Sequence, residues 1–175
     1  MAVAVQAPFA DTQTDGDVMT LYMPALWSYI VMVSVVFGSG VYEALVVHPA
    51  WSRKPPESFR GFMGTPVSRM NLAGYWKVVA PLWALSALAT LGLALPAAHH
   101  GNAIIGSTVC SVAVVVWTLV YFRPNVERFL TDGGGNAPPE RLQAEARRWV
   151  GLNWVRLGLT AIAWWGALTT LANHW

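Results

Sequence analysis

The chain has 175 residues, of which 11% are charged and 55% apolar, and its formal net charge is +2. With a mean hydropathy of +0.43, it cannot close a water-facing surface around one core, so a soluble globular protein is excluded and a one-domain integral membrane protein is expected. No stripe of basic and aromatic residues marks a nucleic-acid surface, and the single Cys110 rules out an intramolecular disulfide framework.

Residues 1–20 are small, acidic (Asp11, Asp15, Asp17) and without period. They are expected to be a flexible extracytoplasmic tail ahead of one transmembrane domain over 21–175. The first apolar run, 23–47, is preceded by no positive residue and is too long for the core of a signal peptide, so it stays in the mature protein. Glu43 lies about one turn before its end and His48 closes it, just ahead of Pro49. Ser34 with Gly38, and Gly40 with Ala44, supply small residues four apart for close helix contact. The loop that follows contains Pro49, Pro55, Pro56 and Pro66, yet Phe59, Phe62 and Met63 recur at helical spacing. That pattern predicts a short amphipathic helix lying in the membrane interface.

The second run, 76–98, starts with Trp76 and Lys77 and leads to a His99-His100 turn. The third, 103–122, closes with Arg123, Asn125 and Glu127. After Gly133, Gly134 and Gly135, the Pro138-Pro139 pair suits the first turn of a new helix, on which Arg141 and Glu145 are four apart. That helix is expected to run unbroken into the fourth run, 152–172, and to exceed 30 residues. Each apolar run matches the roughly 20 residues needed to cross about 30 Å of hydrocarbon. The predicted class is therefore an all-α, polytopic membrane four-helix bundle.

All eleven Lys and Arg residues fall within 53–77 and 123–156, which are the two loops at one end of the bundle. The positive-inside rule makes those loops cytoplasmic and puts both termini outside.

Ionisable groups inside a span cost about 2.5–3.5 kcal/mol each on insertion scales and need partners. Here Glu43, His48, Lys77, Arg123, Asn125, Glu127, Trp149, Asn153 and Arg156 all fall in the basic-loop third, while the other half receives almost no polar groups. Trp149, Asn153 and Arg156 are spaced four and three apart and share one helix face. A carboxylate, an amide and a guanidinium converging there make a site for proton transfer and oxyanion stabilisation. The competing reading is structural: Lys77 and Arg123 snorkel, Arg123 and Glu127 pair on the surface, and Glu43 with Arg156 fixes helix register.

Of ten tryptophans, Trp27, Trp51, Trp76, Trp149 and Trp175 lie near span ends and suit an interfacial belt. Trp83, Trp117, Trp154, Trp164 and Trp165 are deeper, where they pack, face lipid or line an aromatic cavity. Trp117, Trp149 and Trp154 are the candidates for stacking on a ligand. His99, His100 and His174 do not have the spacing of a metal site, and neither a phosphate loop nor another cofactor motif occurs, so no metal or cofactor is expected.

The first helix leading to Pro49, the Pro124-Asn125 pair followed by Leu130, and above all Trp149, Asn153 and Arg156 in RRWVGLNWVR resemble the anthrone oxygenase-like family of small four-helix membrane proteins. The likeness covers about 120 residues, without the residue that the family places between its third-helix proline and asparagine. It implies oxidation of an anthrone to an anthraquinone by molecular oxygen, without metal or flavin, and it implies functional roles for Asn125, Trp149, Asn153 and Arg156. Glu43 and His48, the two candidate bases, come from the residues and not from the resemblance. In the joined expectation, Asn153 and Arg156 hold the oxyanion, Asn125 orients them, and the substrate enters from the lipid bilayer. The alternative is a noncatalytic accessory subunit or assembly factor of a larger membrane complex; a stoichiometric partner favours the subunit, and an isolated homo-oligomer with a bound planar ligand favours the enzyme.

Overall fold

The computed structural model describes residues 11–63, 72–95, 102–131 and 137–174, with side chains within 20–62, 74–95, 102–129 and 137–174. Among these residues there is no strand. The helices are α1 (Asp11–Tyr42), a π-helical segment π1 (Glu43–Val47), α2 (His48–Ser52), α3 (Glu57–Met63), α4 (Leu72–Ala94), α5 (Asn102–Trp117), a second π-helical segment π2 (Thr118–Phe122), α6 (Arg123–Thr131) and α7 (Pro139–Ala172). Four stretches are long and apolar enough to cross a membrane, at Thr20–Ser52, Gly74–Ala94, Asn102–Phe129 and Pro139–Ala172. In hydrocarbon every backbone N–H and C=O has to be satisfied inside the chain, and the helix does this segment by segment. The protein is an all-α membrane four-helix bundle.

Each span packs on its sequence neighbours, and the fourth closes the ring against the first, the up-and-down arrangement that short connections favour. The main core fills this ring with Tyr22, Leu26, Tyr29, Val33, Trp83 and Ile104 among others.

The first and fourth spans have 33 and 34 residues, roughly 50 Å at 1.5 Å per residue, so they outreach a hydrocarbon core of about 30 Å. Their extra length builds a second core at the basic-loop end, where Trp51, Phe59, Phe62, Phe129, Ala146 and Trp149 meet. Helix α3 belongs to this core. Phe59 and Phe62 are buried, and Phe59 stacks on Phe129 at 5.4 Å. The amphipathic helix predicted from Phe59, Phe62 and Met63 is present, but the apolar face of its two phenylalanines is spent on the protein and not on lipid. The side chain of Met63 lies outside the described residues.

Several boundaries differ from the expected ones for local reasons. Helix α1 begins at Asp11, inside the segment read as a tail. The second span ends at Ala94 and not at residue 98, because Leu95 precedes Pro96 and a residue before proline disfavours helical torsions. The third span does not stop at Phe122, since π2 carries the winding past Pro124 to Thr131. Helix α7 is unbroken over 34 residues, as its sequence predicts. The His99-His100 turn, the glycine triplet at 133–135 and Trp175 lie outside the described residues.

The far half of the bundle, away from the basic loops, is more polar inside than its sequence suggested. The Tyr29 hydroxyl meets Ser107 Oγ at 2.8 Å and Ser111 Oγ at 2.7 Å, joining the first and third spans across the ring. Ser107 Oγ in turn donates to the Ala163 carbonyl of the fourth span.

Candidate functional site

The first and third spans carry the same local device. In each, five residues wind as π-helix, one basic residue follows (His48 or Arg123), and a proline comes next (Pro49 or Pro124). Proline has no N–H to donate and its ring crowds the carbonyl four residues back; a wider turn relieves that crowding. The His48 and Arg123 amides accordingly donate five residues back, to the Glu43 and Thr118 carbonyls. The Asn125 side chain adds a bond from Nδ2 to the Tyr121 carbonyl at 2.7 Å. Trp149 joins the two devices. Its indole N–H donates to the Phe122 carbonyl at 3.2 Å, and its ring meets His48 edge-on at 4.9 Å.

Polar side chains from all four spans meet beside these segments. Glu43 Oε1 accepts from Trp76 Nε1 at 2.6 Å. Its Oε2 faces Arg156 Nη2 at 3.8 Å, with the two side chains 13% and 15% exposed. That separation brings the charges together without a hydrogen bond between them. Arg156 donates through Nη1 to Thr118 Oγ1 at 3.3 Å, and its guanidinium carbon stands 4.7 Å from the centre of the Phe122 ring, within cation–π range. Most of its five N–H donors are left for other partners.

Asn153, one turn before Arg156, is 1% exposed. Its Nδ2 donates to His48 Nδ1 at 3.0 Å, and its Oδ1 has no hydrogen-bond partner. A buried polar atom without a partner costs about 1–3 kcal/mol, so such atoms concentrate where a ligand or water can supply the missing bond.

A cavity of about 490 Å³ opens between the spans, a size that suits a small organic molecule. Its walls are mainly apolar, with Val36 and Gly40 from the first span and Trp76 and Trp83 from the second. Asn153, Arg156, Thr118 and Thr160 supply polar atoms, and Lys77, Arg123 and Glu127 lie at the basic-loop end. Trp83 Nε1 is buried without a partner. Glu43 sits just behind the wall, between Trp76 and Arg156 and one turn from Gly40.

The structure brings Glu43 and Arg156 together and puts Asn153 with Arg156 on the cavity wall. His48 joins them through Asn153, but at 3% exposure it is sealed behind that amide and the Trp51 and Trp149 rings. Asn125 does not orient Asn153 or Arg156, because its amide is used on its own helix. The indoles expected to stack on a ligand are elsewhere: Trp149 is buried in the second core, Trp117 packs on Phe122 at 5.1 Å, and Trp154 is 47% exposed on the outward face. The indoles that do line the cavity are Trp76, read from sequence as an interfacial residue, and Trp83. Thr118 and Phe122 went unrecognised. Their signal was Pro124 in a helical run, where the winding can widen over the preceding residues, a weak signal because Pro24 and Pro81 lie in helices without such a segment.

Comparison with family models, with curated proteins and with solved structures finds no match for this chain. Among the described residues, no three His, Cys, Asp or Glu side chains gather where an ion could be held. His99 and His100 lie outside them.

Proposed function

We infer that the protein is a membrane oxygenase that converts a planar, lipid-soluble aromatic substrate with an acidic methylene into the corresponding carbonyl compound, using molecular oxygen. One observation carries the reading: Arg156 lines an apolar cavity, and behind it Glu43 faces it across 3.8 Å with no hydrogen bond between them. A carboxylate oxygen without a donor can accept a proton. A guanidinium with unused N–H groups can hold an oxyanion, and does so best where water is scarce. The resemblance carried by Trp149, Asn153 and Arg156 points the same way.

In this reading Glu43 Oε2 takes the methylene proton, and the electron pair left on carbon spreads onto the conjugated ring oxygen. Arg156 and the second Nδ2 hydrogen of Asn153 bind that oxygen. The carbanion passes one electron to O2, and the carbon radical and superoxide combine into a peroxide. Protonation and loss of water then break the O–O bond and the remaining C–H bond. One methylene and one O2 give one carbonyl and one water, so no outside reductant is consumed. Glu43 is favoured over His48 as the base because it stands directly behind Arg156, the proposed oxyanion partner, whereas His48 is held behind Asn153 and two indole rings. With the basic loops cytoplasmic, the cavity lies in the inner leaflet and the substrate arrives from the bilayer.

The test is oxygen uptake by the purified full chain with anthrone, above the uncatalysed background. Glu43→Gln and Arg156→Met each should lower the rate at least about a hundredfold without loss of the folded helical signal. Uptake that stays at background in the wild type, or full activity in both variants, rejects the assignment. The accessory-subunit reading is favoured by the Glu43–Trp76 bond, which ties the first span to the second whether or not catalysis occurs. A stoichiometric partner copurifying from native membranes, together with no uptake, would select it.

A further inference from the structure

The cavity has a side opening whose charge is unbalanced. The second span packs closely on α1 and α5 but not on π2 or α6, so at the basic-loop end it parts from the third span. The cavity residues at this parting, Lys77 and Pro81 on one side and Leu119, Arg123 and Glu127 on the other, are exposed. Three cations line the cavity, and two of them have a carboxylate opposite. Arg123 pairs with Glu127 at 2.8 Å, and Arg156 faces Glu43. Lys77 has no ion pair among the described residues. An ammonium at the edge of hydrocarbon, where charge is costly, favours a counter-ion.

We propose that the cavity takes a carboxylate-bearing amphiphile from the bilayer through the cleft between the second and third spans, its flat apolar body inside and its carboxylate on Lys77. The class follows from charge and volume. One uncompensated ammonium matches a monoanion better than a phosphate monoester, which carries about −1.5 to −2, and about 490 Å³ holds a compact body and not the two chains of a phospholipid. The assignment rests on reading this cavity as the substrate site and gives that substrate a charged end. It does not depend on the oxidation step.

The probe is 2-anthroate, whose ring accepts excitation energy from tryptophan; Trp76 and Trp83 in the cavity wall are among the donors. Binding of 2-anthroate and of its methyl ester is measured by sensitised emission with the full chain in phosphatidylcholine nanodiscs. Each ligand is compared between wild type and variant, so that partitioning into lipid cancels. Lys77→Gln should weaken 2-anthroate about tenfold and leave the ester unchanged, Lys77→Arg should restore the acid, and phosphatidate added to the nanodiscs should not displace it. An equal effect on acid and ester, no effect on either, or displacement by phosphatidate overturns the proposal. If neither ligand gives saturable transfer, the cavity is not a ligand site and the oxygenase reading falls too. If 2-anthroate binds through Lys77 while anthrone is not oxidised, the oxygenase reading falls alone.

Discussion

The two halves of the bundle treat their buried polar atoms in different ways. In the far half, Tyr29 bonds to both Ser107 and Ser111 across the ring, and Thr108 and Thr170 return their hydroxyls to their own helices. Gly166 lets the fourth span approach until an added Cβ would stand 3.1 Å from the Ala103 carbonyl and 3.1 Å from Ser107 Cβ. In the basic-loop half two π segments interrupt the helices, the second and third spans part, and Asn153 Oδ1 and Trp83 Nε1 have no partner. Polar groups hold helices together in both regions, but in the second some buried ones are also left without a partner. The same residue chemistry thus ends paired or unpaired according to whether neighbouring groups close over it.

That contrast is most directly broken by a side chain added to the tight half. Gly166→Val places methyl groups against a backbone carbonyl of another span, which cannot swing aside as a side chain can. The fourth span has to move, at a cost of about 2 kcal/mol, seen as a clear fall in the thermal midpoint in detergent. An unchanged midpoint would mean that the far half is as loose as the cavity half. Tyr29→Phe should cost less, about 1 kcal/mol. Ser107 Oγ keeps its bond to Ala163, and Ser111 can turn back to its own helix. Ligand binding in the cavity should be unaffected, since the hydroxyl lies in the other half; a loss of binding would show that the two halves are coupled.

The spans, their order and the depth of the polar cluster were legible in the sequence because they follow from composition and helical spacing alone. Asn153 and Arg156 were legible for the same reason, being placed on one face by a spacing of three. Partners set by three-dimensional approach were not. Trp76 at a span end looks interfacial until the first span brings Glu43 to its N–H. Asn125 looks catalytic until the Tyr121 carbonyl of its own helix claims its amide. Ser107 and Tyr29 are 78 residues apart, and no local pattern signals that they meet. Helix α3 shows the same limit, since an amphipathic period says that one face is apolar and not whether lipid or protein covers it.

The finest test of the contrast is a glycine in the cavity half. A Cβ at Gly40 would stand 3.0 Å from Leu157 Cδ1, the far end of a flexible side chain that itself lines the cavity with Gly40. Moving that methyl group costs about 0.5–1.5 kcal/mol if it leaves its rotamer, while alanine gains up to about 1 kcal/mol over glycine in a helix. The two nearly cancel, so Gly40→Ala should leave the stability within about 0.5 kcal/mol of the wild type and the thermal midpoint close to it. The displaced Leu157 can yield only into the empty space, so the cavity shrinks and binding of the 2-anthroate ester should weaken by about threefold, less than one kcal/mol. Unchanged stability with weakened binding is the signature of space kept open for a ligand. A fall in stability as large as that of Gly166→Val, with binding intact, would mean that Gly40 serves helix packing and that the cavity lies beyond its reach.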